Sequence, residues 1–159
     1  EMVANIDRQV QKYLALKTVI SLASGLVSMV IIMAFGVRYA ILWGFITFIL
    51  NYIPNIGSFI SKILPFAFAL IQLDRFWPAV WMLALLFLTD AIIGSIIEPK
   101  VMGTGLGLSP LAIMIALFFW GWLWGVPGMI LSVPILVVMK IMASNIPSMR
   151  WFEALLSNE

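Results

Sequence analysis

Apolar residues run through this chain in long stretches, and the few polar interruptions mark where one element ends and the next begins. Residues 3–14 set Val3, Ile6, Val10, Tyr13 and Leu14 on one helical face and Asp7, Arg8, Gln11 and Lys12 elsewhere. That spacing predicts an amphipathic lead-in over residues 1–13, lying at the headgroups. A continuous apolar span follows over residues 14–35, with Lys17 near its start able to snorkel outward. Ser21, Ser24, Gly25 and Ser28 form a small-residue stripe on this span, which lets another helix approach closely in lipid.

Further on the pattern changes. Residues 39–53 and 56–73 are apolar but short, separated by NYIPNIGS with its Pro54 and Gly57, and the second is interrupted by Lys62 and Pro65. A fuller span covers residues 77–97. Two more short pieces, 108–124 and 126–144, meet at Gly125-Val126-Pro127-Gly128, and Pro134 interrupts the second. Each of the short pieces falls below the roughly 20 residues of a full crossing. Regions 36–72 and 107–144 therefore share punctuation, a Pro/Gly break between short apolar helices, without a residue-level repeat. Paired interrupted segments point to a transporter's binding site, and two ordinary hairpins with tight turns are the other reading. Trp151, Phe152, Leu155 and Leu156 predict an interfacial tail over 147–159.

Composition fixes the environment. Hydrophobic residues make up 64% of the chain and charged residues 10%, with a mean hydropathy of +1.13. Soluble domains are about half apolar and a quarter charged. The chain is thus read as a single all-α, polytopic transmembrane domain over residues 1–159, with two Pro/Gly-broken helical hairpins. A net charge of +2 with no basic run speaks against a nucleic-acid partner. The absence of cysteine and histidine removes disulfides, thiol nucleophiles, Cys/His metal sites and the usual general base. With no GxSxG and one aspartate deep in a span, no enzyme, catalytic residue, metal or cofactor is expected. Arg8, Lys12, Lys17, Lys100, Lys140 and Arg150 fall on one side of the predicted spans, Arg38 and Arg75 on the other. The positive-inside rule then places both termini and the central loop in the cytoplasm.

Candidate chemistry gathers in the polar crossing from Thr89 to Pro110. Asp90 is an acid inside an apolar run, so it must face protein or water, as an exchange site for protons or as a packing residue. Pro99 biases Glu98 away from helical geometry and should end the helix there. Glu98 and Lys100 are read as a solvated pair at the membrane boundary, with a gate around Pro99 and Gly103 as the alternative. Ser109 and Pro110 restart a helix as N-cap and first helical residue. Asn51 and Ser58 flank the first break, where they either contact a polar solute or cap the broken helix. If both hairpins enter from opposite faces, Pro54 and Gly57 meet Pro127 and Gly128 near the midplane and expose unpaired backbone groups to a solute. Four full spans are the competing picture. Trp120, Trp122 and Trp124 read as an interfacial belt.

The stretches NYIPNIGS, IIEPKVMGTGLGLSPL and GVPGMILSVP, together with YLALKTVIS, resemble the autoinducer-2 exporter family of bacterial membrane transporters. The resemblance runs over nearly the whole chain and places it in the C-terminal half of a protein about twice as long. It implies export of the signal autoinducer-2 from the bacterial inner membrane. The expected partners are that small polar solute, a coupling proton or sodium ion, the bilayer, further copies in a homo-oligomer, and the N-terminal half. Other branches of the family look like sodium–proton antiporters, and a passive channel or a structural membrane subunit is the remaining alternative to a transporter. Many relatives carry an acid six residues before the proline matching Pro99; here that position is Ile93 and the nearest acid, Asp90, lies one turn earlier.

Overall fold

The computed structural model describes residues 2–98, 100 and 108–145. The expectations for Pro99, Gly103 and the tail at 147–159 lie outside the described residues. Six helices make up the described chain: α1 (Met2–Ala34), α2 (Ala40–Leu50), α3 (Ile56–Gln72), α4 (Phe76–Ile92, prolonged by a π-helical turn over Ile93–Ile97), α5 (Pro110–Trp124) and α6 (Val126–Asn145). This is an all-α membrane fold. Val10–Ala34 and Phe76–Ile97 are long and apolar enough to cross a bilayer. By contrast α2, with its 11 residues, is only about 17 Å long at the usual helical rise. The hydrocarbon core is about 30 Å thick.

Two compact units form, one from residues 1–16 and 101–159 and the other from 17–100. In the first, the α5–α6 hairpin buries Ala116, Val133, Leu136 and Val137 with Leu108 and with Tyr13 of α1. The expected lead-in and first span are one unbroken helix, since no proline, glycine or cap separates Tyr13 from Lys17. In the second unit, α1 to α4 close around Ile32, Val37, Ala40, Ala69, Ala79, Met82 and Leu86. Large apolar side chains such as Ile41, Ile71, Trp77, Trp81 and Trp122 are exposed, as lipid-facing positions should be.

The small-residue stripe does what its spacing suggests. Ser21, Ser24, Gly25 and Ser28 are all buried. A Cβ on Gly25 would lie 2.7 Å from the Gly44 carbonyl oxygen, and one on Gly44 would lie 2.7 Å from the Met29 Cβ. Backbones of α1 and α2 therefore touch at this point, which a larger residue would prevent. The loop between them is held by Gln72 of α3. Its Oε1 accepts from the Arg38 N–H at 2.7 Å and its Nε2 donates to the Gly36 carbonyl at 2.9 Å. Gly36 (φ 71°) supplies the left-handed turn there.

Prolines break fewer elements than the sequence suggested. Pro65 and Pro134 both lie inside continuous helices rather than interrupting them. Missing donors of this kind are tolerated in membrane helices because nearby serine and helix contacts re-satisfy the backbone. Glu98 also departs from expectation: at φ −57° and ψ −49° it is helical, not extended. The π-turn explains it, because the Glu98 N–H reaches back to the Ile93 carbonyl, five residues earlier. That widened ladder resets the backbone just ahead of the proline. Ser109 is the N-cap residue of α5 with extended geometry and Pro110 follows inside the first turn, although the serine hydroxyl makes no capping bond.

Both hairpin tips depend on a glycine pressed against the preceding helix. A Cβ on Gly57 would collide with the Leu50 carbonyl oxygen, and one on Gly128 with that of Trp120. Gly94, in the π-turn, has open space around it. We expect Gly57→Ala and Gly128→Ala each to destabilise the protein by about 1–3 kcal/mol, and Gly94→Ala to change stability far less. Unfolding midpoints in detergent would check this; a Gly57→Ala protein as stable as the parent would contradict the packing described.

Candidate functional site

Asp90 is not alone. Its Oδ1 lies 2.9 Å from the Lys62 ammonium, which projects from α3, and the lysine side chain is only 3% exposed against 28% for the aspartate. Lys62 Nζ also donates to the Ser58 carbonyl oxygen at 2.5 Å and to Ser61 Oγ at 3.4 Å. The two serines and the lysine sit one turn apart at the start of α3, so the ammonium folds back over its own helix before meeting α4. Such a pair is held by geometry: each charge is costly in a low-dielectric interior, and removing one partner strands the other.

A second pair repeats the arrangement. Lys17 of α1, expected to snorkel outward, is buried, and its Nζ bonds Glu98 Oε1 at 2.6 Å. Glu98 is therefore tied to α1 and is not half of a solvated pair with Lys100, which is exposed. The two acids are eight residues apart on one helix, which would turn their side chains about 80° away from each other in a regular α-helix. The intervening π-turn absorbs one residue and brings the offset to about 20°. That turn brings Asp90 and Glu98 closer to one line along the helix.

The same unit buries further polar side chains: Ser21, Ser24 and Ser28 on α1, Thr47 and Asn51 at α2, and Ser61 on α3. Asn51 Nδ2 donates to Ser21 Oγ at 3.2 Å, Tyr52 Oη to Thr18 Oγ1 at 2.7 Å, and Thr47 Oγ1 to the Trp43 carbonyl at 2.9 Å. Ser24 Oγ is buried with no partner among the described residues. Asn51 is thus a tie between α1 and α2, while Ser58 Oγ bonds the Asn55 carbonyl at 3.2 Å.

The first break satisfies much of its own backbone, against the expectation of free donors. Amides of Asn51, Tyr52, Ile53, Ile56 and Gly57 bond the carbonyls of Thr47, Ile49, Leu50, Pro54 and Ile53. Pro54 is half-buried and Gly57 buried at this tip; Gly128 is buried and Pro127 exposed at the other. The two tips belong to different units. They share a detail that residue-by-residue comparison missed, Gly57-x-x-x-Ser61 and Gly128-x-x-x-Ser132. In each, the serine is buried and its hydroxyl donates to the carbonyl three residues back, Ser58 at 2.8 Å and Met129 at 2.7 Å. Trp122 and Trp124 are exposed and Trp120 half-buried, with Trp120 and Trp124 ring centroids 4.9 Å apart, as an aromatic belt would be.

Lys62 and Lys17 were missed as site residues because each was read alone, as an interruption and as a snorkelling charge. The signal was available: two lysines and two acids within apolar helices balance one another. Comparison with known proteins bears on what such a site serves. The family model for the AI-2E family transporter matches residues 1–148. The chain is 48% identical over 132 residues to the AI-2 transport protein TqsA of Escherichia coli, covering 83% of this chain and 38% of that protein. A putative transport protein of Haemophilus influenzae is 40% identical over 157 residues, 97% of this chain and 45% of its own length. The putative transport protein YrrI of Bacillus subtilis is 30% identical over 147 residues, 92% of this chain and 41% of its own. The chain thus spans less than half the length of these relatives.

The ion pair makes a stability prediction. Asp90→Ala, which leaves the Lys62 ammonium buried without its partner, should cost about 3–5 kcal/mol. Adding Lys62→Met to Asp90→Ala should recover most of that loss. A double-mutant cycle on unfolding midpoints measures it; additive losses in the two variants would show that the pair is not coupled.

Proposed function

We propose a function that starts from one fact, that this chain belongs to the AI-2E transporter family. The protein moves a small polar solute outward across the bacterial inner membrane, and autoinducer-2 is the solute, the one its relative TqsA is named for. The observation that carries a transport role in the site is the set of buried polar side chains in the 17–100 unit with its two buried lysines, each paired to a half-buried acid. In lipid, charged and polar groups inside spanning helices are costly, and they characteristically mark solute or ion paths. The short α2 supports a hairpin that enters and returns, with Asn51, Pro54, Gly57 and Ser58 at its tip as the wall of the path. Pro127 and Gly128 play the same structural part in the second hairpin. The gate expected around Glu98 rests on its link to Lys17, whose rupture would free α1 from the end of α4. Both termini face the cytoplasm, and the exposed apolar face of α4, including Trp77, Trp81 and Leu88, meets lipid or a second copy in a homo-oligomer.

Sodium–proton exchange is the weaker reading. It calls for a carboxylate available to ions, and Asp90 is already engaged by Lys62.

In inside-out membrane vesicles, the full-length protein should drive accumulation of autoinducer-2 above vesicles lacking it. Asp90→Asn should lower the initial rate about tenfold at equal membrane abundance. No accumulation by the parent protein would remove autoinducer-2 as the solute, and an unchanged rate in Asp90→Asn would reduce Asp90 to a packing residue. Orientation is checked separately with single cysteines in intact cells: an impermeant maleimide added outside should label position 75 and spare position 100.

A further inference from the structure

Three oxygen atoms of different chemistry converge on one point in the 17–100 unit, and the point is occupied by a positive charge. They are the Asp90 carboxylate Oδ1 at 2.9 Å, the Ser58 backbone carbonyl at 2.5 Å and the Ser61 hydroxyl at 3.4 Å, all measured to Lys62 Nζ. The Ser61 hydroxyl spends its proton on the Ser58 carbonyl at 2.8 Å, so what it turns to the ammonium is its lone pairs. Carboxylate, carbonyl and hydroxyl oxygens are the ligands that hard cations take. One carboxylate supplies one negative charge, which balances a monovalent ion and leaves a divalent one uncompensated. The lysine that fills this position is itself 3% exposed, so its stem also seals the site.

We propose that Ser58, Ser61 and Asp90 form a monovalent-cation site whose cation is built into the chain as the Lys62 ammonium. The tethered charge holds α3 to α4 at all salt compositions and keeps sodium out. Taking the lysine away leaves a cavity lined by the same three oxygens and one unbalanced carboxylate, which sodium fills. The inference is independent of which solute the protein carries. Its readout is ion binding, so it can fail while the transport reading stands, and the reverse.

The test uses the full-length protein in detergent, with sodium chloride compared against choline chloride at equal ionic strength. Wild type should show the same unfolding temperature in both salts and no saturable binding of radiolabelled sodium. Lys62→Ala should be destabilised in choline and should recover by several degrees as sodium is raised, with saturation, because a ligand that binds only the folded state stabilises it by mass action. Lys62→Ala/Asp90→Ala should lose that response. A folded Lys62→Ala that is indifferent to sodium overturns the proposal. So does a Lys62→Ala that cannot be recovered folded even in high sodium while Lys62→Ala/Asp90→Ala folds. The wild-type arm decides by itself as well: sodium stabilisation of wild type that vanishes in Asp90→Asn would mean that the ammonium does not hold the site.

Discussion

A charge inside hydrocarbon has to be balanced where it stands, and the 17–100 unit is arranged around that requirement. Lys62 leaves the buried face of α3, which it shares with Gly57, Ser61, Pro65 and Ala69, and Asp90 meets its ammonium from α4. The same holds for Lys17 on α1 and Glu98 at the far end of the π-turn. One pair joins the consecutive helices α3 and α4 and the other joins α1 to the far end of α4, so the charges act as fixed points between which apolar packing fills the space. Exposed partners in water would contribute about 1 kcal/mol or less. In a low-dielectric interior the cost of losing one partner is several times larger. Packing around Met82 and Leu86 fills the space between the helices, while the ion pairs tie α3 to α4 and α1 to the end of α4.

The π-turn bears on how the two acids line up. Two acids eight positions apart are about 80° apart around a regular helix, and one absorbed residue narrows that to about 20°. Its five residues, Ile93 to Ile97, are apolar or small and make no demand of their own. Gly94 has space around it, so the turn does not exist to relieve a clash at that glycine. The register of Asp90 against Glu98 is the feature that the turn changes.

Periodicity and punctuation made much of the fold legible. The six apolar segments, both Pro/Gly breaks and the small-residue stripe on α1 all appear where the sequence places them, with boundaries shifted by a few residues. What it could not convey was pairing across elements. Lys17 and Glu98 are 81 positions apart, and nothing local to either one identifies the other. Prolines misled for a related reason. Pro65 and Pro134 look like breaks by local rules, but packing holds the helix on both sides, and the donor a proline lacks is a loss the surrounding helix absorbs. Glu98 was misplaced because the rule for residues before proline presumes an α-helical ladder, and the ladder here is wider.

The hairpin tip carries this one step further. Breaking a helix inside a membrane was expected to leave backbone groups free for a solute, yet at the first tip the amides of Asn51, Tyr52, Ile53, Ile56 and Gly57 are all bonded within the turn. Gly57 makes that compact closure possible by letting the chain press on the Leu50 carbonyl. Polar chemistry is then left to side chains and to carbonyls with a lone pair to spare. The Ser58 carbonyl has that role: it accepts from the Ser61 hydroxyl and from the Lys62 ammonium together. The tip and the ion pair are consequently one structure. A movement that opens the turn at Gly57 must also disturb the oxygens around Lys62, and a change of charge at Asp90 must be felt one helical turn away, at the break.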